Sequence, residues 1–194
     1  MGARIDVVDN GGQWTHREWR VLRDLGAKTK IIANTTEPSA VDADALLLSG
    51  GAPSIGTEVA KLGNCGRFVD ELDIPIYGIC VGAQYLAVHF GGKAHAATKG
   101  GEFGKAHLIV DAPDRLFEGL PNEFVVWQSH NDEIHDLPAQ FTSLAHSEHC
   151  THQAIAHKTR PLFGTQFHPE VEHTEHGYDI MGNFVKVVED WKRR

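Results

Sequence analysis

The chain has little cysteine. Cys65, Cys80 and Cys150 are the only three in 194 residues, and no two form a C-x-x-C pair. That excludes a disulfide framework. A basic surplus is also missing: 18 lysines and arginines against 26 aspartates and glutamates leave a formal net charge of −8. Phosphate backbones attract the opposite balance, so no nucleic-acid partner is expected. No long apolar run is present. The most apolar stretch, 74–90, is interrupted by Pro75, Gly78, Gly82 and Gln84, and it falls short of the ~20 residues that cross a bilayer. No membrane partner is expected either. The opening Met1-Gly2-Ala3-Arg4-Ile5-Asp6 lacks the apolar core of a signal peptide. Asp6 stands where a myristoylation signal carries Ser or Thr. Together with the sparse cysteines, this predicts a reducing, cytoplasmic setting. There is no internal repeat, no low-complexity tract and no G-x-x-x-x-G-K phosphate loop.

What is present is ordinary globular material, 41% apolar and 23% charged, in a length that suits one domain over 1–194. The first half alternates short apolar runs with helical periods. Strands are predicted at Ile5–Val8, Lys30–Ala33, Ala45–Leu48 and Pro75–Ile79. Helices are predicted near 13–25, 57–72 and 81–90, the first with Thr15, Trp19, Leu22 and Leu25 on its inner stripe. Such alternation implies an α/β fold with a mostly parallel open sheet flanked by helices. Ligands in such sheets sit beyond the carboxyl ends of the strands, here the loops 9–13, 49–53 and 78–84. The second half is richer in strands, at 106–110, 124–127, 143–146, 153–157 and 162–166. It closes with a helix over 177–192 that buries Ile180, Phe184, Val187, Val188 and Trp191.

One of the three loops carries chemistry. Gly78-Ile79-Cys80-Val81-Gly82 ends a strand and opens a helix, the cysteine version of the G-x-S-x-G nucleophile elbow. The helix amino end favours negative charge on the sulfur, and the Val81 amide is placed to receive an oxyanion. The bland alternative is a buried cysteine on a tight turn. Far downstream, His168-Pro169-Glu170 offers an imidazole beside a carboxylate. Proline pushes His168 toward extended backbone, in which residues two apart point the same way. Glu170 then orients the ring and stabilises its charged form, as in a triad. Alone, such a segment reads as a surface loop.

These residues resemble the class I glutamine amidotransferases. Gly78-Ile-Cys80-Val-Gly82-Ala-Gln84 matches the family's nucleophile motif, His168-Pro-Glu170 its base motif, and Leu48-Ser49-Gly50-Gly51 its oxyanion loop. The resemblance covers essentially the whole chain and implies a flavodoxin-like sheet, glutamine as substrate, and catalysis by Cys80, His168 and Glu170. It further implies oxyanion donors at the Gly51 and Val81 amides, and substrate contacts from Gln84, Ser129 and His130. Asp9-Asn10-Gly11-Gly12-Gln13, Ser129-His130-Asn131-Asp132-Glu133 and Glu170-Val-Glu-His173-Thr-Glu175 look most like the free-standing subunits that feed purine-nucleotide amination. One departure is Ala52, where the family runs from Gly51 straight to proline; the extra residue is expected to move the loop tip.

The implied ammonia is used elsewhere, because one domain leaves no room for a synthetase. A separate ATP-pyrophosphatase synthetase subunit is the expected partner, with ATP and Mg used there and no cofactor in this chain. His130 and Asp132 are the residues expected to couple to it. Anthranilate, aminodeoxychorismate and carbamoyl-phosphate systems are alternative acceptors, and a cysteine peptidase or hydrolase is the rival enzyme. No metal is expected: the histidines at 146, 149, 152, 157, 173 and 176 lack zinc-finger or H-E-x-x-H spacing. Trp14, Trp19, Cys65 and Cys150 read as packing residues, and Glu102 and Lys105 as solvated hairpin charges.

Overall fold

A computed structural model describes residues 2–194. Along the chain it runs β1 (Ile5–Asn10), α1 (Thr15–Asp24), β2 (Ile31–Ala33), β3 (Ala45–Gly51), α2 (Cys65–Glu71), β4 (Ile76–Ile79), α3 (Val81–His89) and β5 (Lys93–Ala96). It continues with β6 (Glu102–Val110), β7 (Glu123–His130), β8 (Asp132–Asp136), β9 (Phe141–His146), β10 (Ala154–His157), β11 (Leu162–Thr165) and α4 (Gly177–Trp191). Nine strands form one sheet in the order β2-β1-β3-β4-β11-β10-β9-β6-β7. The β2-to-β11 half is parallel, and every pairing beyond β11 is antiparallel. No helix among the described residues is long and apolar enough to cross a membrane.

Burial on both faces explains the uninterrupted apolar runs of the parallel half. Along β3, Leu47 joins the core under α1 and α4 with Ile5, Leu22 and Phe184. Its neighbours Leu46 and Leu48 join the opposite core under α2 and α3 with Phe68 and Leu86. Side-chain alternation along a strand thus feeds two hydrophobic layers from one short sequence. β4 follows the same rule, with Tyr77 and Ile79 on one face and Ile76 on the other.

Two expectations change. The helix predicted over 57–72 is broken into a 3-10 turn at Val59–Leu62 and the shorter α2. Gly63 separates them at φ +54, and a β-carbon there would lie 2.7 Å from the Asn34 carbonyl oxygen. A second, two-stranded sheet, β5 with β8, was absent from the predicted elements. Its strands read KAHA and DEIHD, with only Ala94 in the first and Glu133 and Ile134 in the second buried, so no apolar alternation announces them.

Candidate active site

β4 ends at the expected nucleophile. Cys80 sits between β4 and α3 at φ 51 and ψ −110, one of only two non-glycine residues with positive φ among those described. A side chain in that region is strained. The turn is held from both sides: the Cys80 amide donates to the Thr165 carbonyl at 2.7 Å, and the Cys80 carbonyl accepts from Gln84 at 3.0 Å. The flanking glycines are required by close approach. A β-carbon on Gly82 would fall 2.4 Å from the Leu48 carbonyl oxygen, and one on Gly78 would meet Gly82 backbone at 2.4 Å. As the first residue of α3, Val81 has an amide with no intrahelical acceptor.

β11 lies beside β4 in the sheet, so the segment after β11 reaches the same edge. His168 Nδ1 lies 2.7 Å from Glu170 Oε1, with both side chains buried. The expected contact is present, but the expected backbone is not. Residues 169 and 170 form a turn, with the Val171 amide donating to the His168 carbonyl at 3.4 Å. Glu170 folds back under the ring instead of pointing along an extended strand. β7 anchors the loop: the His168 amide donates to the Trp127 carbonyl at 3.0 Å, and Thr174 bonds both the His168 carbonyl and the Trp127 amide.

Gly50 joins nucleophile and base. A β-carbon there would be 3.0 Å from His168 Cε1 and 3.7 Å from Cys80 Cβ, so both side chains close around this glycine. Burial opposes charge on His168, but the Glu170 carboxylate and the interaction with Cys80 outweigh it and hold the imidazole pKa well above its ordinary value. The ring is kept as a cation beside the sulfur.

Cys80 and His168 open onto a cleft of about 380 Å³ at the carboxyl end of the parallel strands. Cys80, His168, Gly51, Val81 and Gln84 line it, as do Ser129, His130 and Asp132 from β7 and β8; Glu170 stands behind His168. The Cys80 thiol is 3.9 Å from the Ser129 carbonyl oxygen. Gly51 is the last residue of β3, still paired with Asn10 and bridged to Gly11, so sheet backbone reaches further than the loop predicted at 49–53. Ser49 is clamped there by the Asn10 amide at 2.9 Å and by the Asn10 side chain on its carbonyl at 3.0 Å. The inserted Ala52 comes after this clamp.

Some residues are already engaged within the chain. The Gln84 amide nitrogen donates to the Asp132 carbonyl at 2.6 Å and to Gln166 Oε1 at 3.1 Å. Asp132 accepts from the Ser54 hydroxyl at 2.6 Å and the Ile55 amide at 3.0 Å, tying β8 to the segment after the oxyanion loop. His130 is buried, with Nδ1 3.0 Å from the Asp132 carbonyl and Nε2 3.2 Å from Glu102. Glu102, expected in solvent, is instead buried. Its oxygens take Ser147 at 2.9 Å and Gln153 at 2.7 Å besides His130. Burial pushes the Glu102 pKa up, but these bonds prevail and hold it below the usual range. Glu102, His130 and Cys150 could together face a cation. However, burial keeps the Cys150 thiol protonated and both Glu102 oxygens are already bonded, so Glu102, with Ser147 and Gln153, serves as a hydrogen-bonded scaffold for His130. Lys105 is exposed, as expected.

Three residues in contact with Cys80, His168 or Gly50 went unrecognised in the sequence. Trp14 presses edge-on against His168 at 4.5 Å between ring centroids, so it is more than helix packing, whereas Trp19 does pack, with its indole bonded to the Thr29 carbonyl. Gln166 donates to the Cys80 sulfur at 3.6 Å. Glu18, on α1, is buried and accepts the Gly50 amide at 3.1 Å. Its position on the 15–18–22 stripe was the available signal, hidden because charged residues are passed over when a buried stripe is drawn. Cys65 is a packing residue, as expected, with its thiol pushed by burial up to about 12.

Comparison with known proteins gives the same picture. The family model described as glutamine amidotransferase class-I matches residues 6–188. A glutamine-hydrolyzing GMP synthase subunit of Thermoplasma acidophilum is 53% identical over 190 residues, 97% of this chain and 94% of the relative. The corresponding GMP synthase subunit of Pyrococcus abyssi is 44% identical over 189 residues, 94% and 97% of the two chains. Among solved structures, a GMP synthase subunit of Thermoplasma acidophilum superposes with a TM-score of 0.95 at 52% identity, covering 100% of this chain and 97% of that one. A glutamine amidotransferase of Thermotoga maritima shares the fold at a TM-score of 0.76 and 21% identity, covering 100% and 85%.

Proposed function

The chain belongs to the class I glutamine amidotransferase family, and from that premise we propose that it is the glutamine-hydrolysing subunit of a GMP synthase. It converts glutamine to glutamate and ammonia, and it supplies the ammonia to a separate ATP-dependent synthetase chain that turns XMP into GMP. The observation that carries this reading is the strained Cys80 elbow facing the His168–Glu170 pair across Gly50. The GMP synthase relatives matched along nearly the whole chain support the acceptor.

The chemistry follows from the geometry. The Cys80 sulfur attacks the side-chain amide carbon of glutamine, and the carbonyl electrons move to oxygen. The Gly51 and Val81 amides receive that oxyanion, at roughly 3 kcal/mol per donor in comparable sites. The His168 imidazolium, stabilised by Glu170, protonates the leaving nitrogen, and ammonia departs as the C–N bond breaks. Water, deprotonated by the now neutral His168, attacks the thioester. The C–S bond breaks, releasing glutamate and restoring Cys80. Gln84 and the backbone around Ser129 and His130 hold the substrate, since both ring nitrogens of His130 are already engaged. Because the Gln84 amide nitrogen is spent on Asp132 and Gln166, its oxygen is the atom that faces a ligand. His130 and Asp132 couple the cleft to the partner, Asp132 through Ser54 and Ile55. This chain needs no cofactor of its own; ATP and Mg belong to the synthetase chain, and the setting is cytoplasmic.

The test is ammonia release from glutamine by the full chain, alone and with its synthetase partner recovered by pull-down, with and without XMP and ATP. Wild type is expected to be stimulated by the partner and nucleotides, and to lose activity when Cys80 is labelled by a glutamine-mimicking electrophile. Ammonia release that survives in folded Cys80→Ala would overturn the assignment.

A further inference from the structure

The mechanism leaves one buried charged residue of the cleft unused. Glu18 lies on the inner face of α1, between Thr15 and Leu22, and is 1% exposed. Packing alone does not call for a carboxyl there; a leucine would continue the apolar stripe without desolvating a polar group. The carboxyl has a specific partner: Oε1 accepts the amide of Gly50 at 3.1 Å, the glycine around which Cys80 and His168 close. Oε2 has no partner among the described residues, and neither has Oε2 of Glu170.

We propose that Glu18 is a positioning residue of the glutaminase site, holding the oxyanion loop through the Gly50 amide and setting the charge beside the Glu170–His168 pair. The inference rests on the glutaminase reading and adds a fourth side chain to it.

The groups facing the Glu18 carboxyl come from every surrounding element. Glu170 and His168 reach it from the segment after β11, Asp9 from β1 and the Gly50 amide from β3, while Tyr77 of β4 lies close to both glutamates with its hydroxyl bonded to Thr165. Burial first, then Glu170, push Glu18 well above the ordinary carboxyl range, against the opposing pull of the Gly50 amide and His168. Of the two carboxyls, Glu18 is thus the one pushed toward its neutral form, while Glu170 is the one bonded to His168. A neutral carboxyl still accepts from Gly50 through its carbonyl oxygen. Glutamine imitates that state, and leucine removes the acceptor while keeping the buried face apolar.

The experiment compares full-length wild type, E18Q and E18L by kcat and KM for glutamine and by thermal unfolding, with E18M replacing E18L if the latter fails to fold. E18L is expected to lose about 10-fold or more in kcat with KM within about threefold, because the anchored amide matters where the oxyanion develops. Its Tm is expected to be unchanged or raised, since an unneeded desolvated carboxyl has gone. E18Q is expected to restore kcat to within about threefold of wild type. A role in packing alone would show the reverse, with lower Tm and intact kcat. Wild-type kcat in the folded apolar variant, or an E18Q as slow as E18L, overturns the proposal. A wild type without glutaminase activity would instead overturn the functional reading.

Discussion

The two halves of the sheet build the site by different means. The parallel half, β2 to β11, works mainly through backbone: the elbow at Cys80, the close approach of Gly82 to Leu48 and the clamped Ser49–Gly50 segment. The antiparallel half, joined by the β5–β8 sheet that packs on α3, works mainly through side chains. Glu102, His130, Ser147 and Gln153 bond one another and support the lip, and Asp132 ties that lip to Ser54 and Ile55. Backbone constraints tolerate almost no added atom. A side-chain network loses one bond at a time. Cys80 therefore sits in the half that cannot drift, His168 is held where the two halves meet, and the lip belongs to the half that can be adjusted.

This contrast is open to a graded set of tests. The largest effect is expected from Gly82→Ala, whose new β-carbon meets a backbone carbonyl. A loss of about 3–5 kcal/mol, read as a fall in Tm on the order of 10 °C, is expected in thermal unfolding; an unchanged Tm would erase the distinction. Glu102→Ala should follow, stranding Ser147, His130 and Gln153 without their shared acceptor, at about 2–3 kcal/mol in urea unfolding. If it matched or exceeded Gly82→Ala, the side-chain half would be the more rigid one. For Asp132→Ala the expectation is about 1 kcal/mol together with faster hydrogen exchange at the Ile55 amide; protection that persists would show that the tie to the loop is incidental.

The smallest effect lies at the far end of the parallel half. Asp44, bonded by Arg4 and Lys192 against the opposing effect of burial, is held at about 2. A depressed carboxylate stabilises the fold above its unfolded value and stops doing so as pH falls through its folded value. Asp44→Asn is therefore expected to lose about 0.5 kcal/mol at neutral pH, discounted for the half-exposed Arg4, and to converge on wild type below about pH 2. Its glutaminase activity should not change. A stability difference that persists in acid would assign the effect to something other than charge.

The same contrast explains what could be read in advance. The parallel half declared itself through apolar runs closed by glycine turns, because burial on two faces leaves little freedom in composition. Cys80 was legible because it sits at such a turn, and the His168–Glu170 pair from its spacing around Pro169. The sequence misled where polar residues are buried. Glu102 reads as solvated because it is charged, and Glu18 disappears from a stripe drawn through apolar neighbours; both are inside because they have partners distant in the chain. β5 and β8 bury too few apolar side chains to show an alternating pattern. Glu170 reaches His168 through a turn, so the pairing was legible while its backbone was not.

The adjacency of β4 and β11 has a consequence for biogenesis. The sulfur is translated long before the imidazole, yet their strands are neighbours, and strand pairings so remote in sequence form late. A nascent chain, or a fragment cut before β11, carries the nucleophile without its base. On the proposed mechanism such a product cannot release free ammonia while still on the ribosome, and hydrolysis begins only once nearly the whole polypeptide has been made and folded.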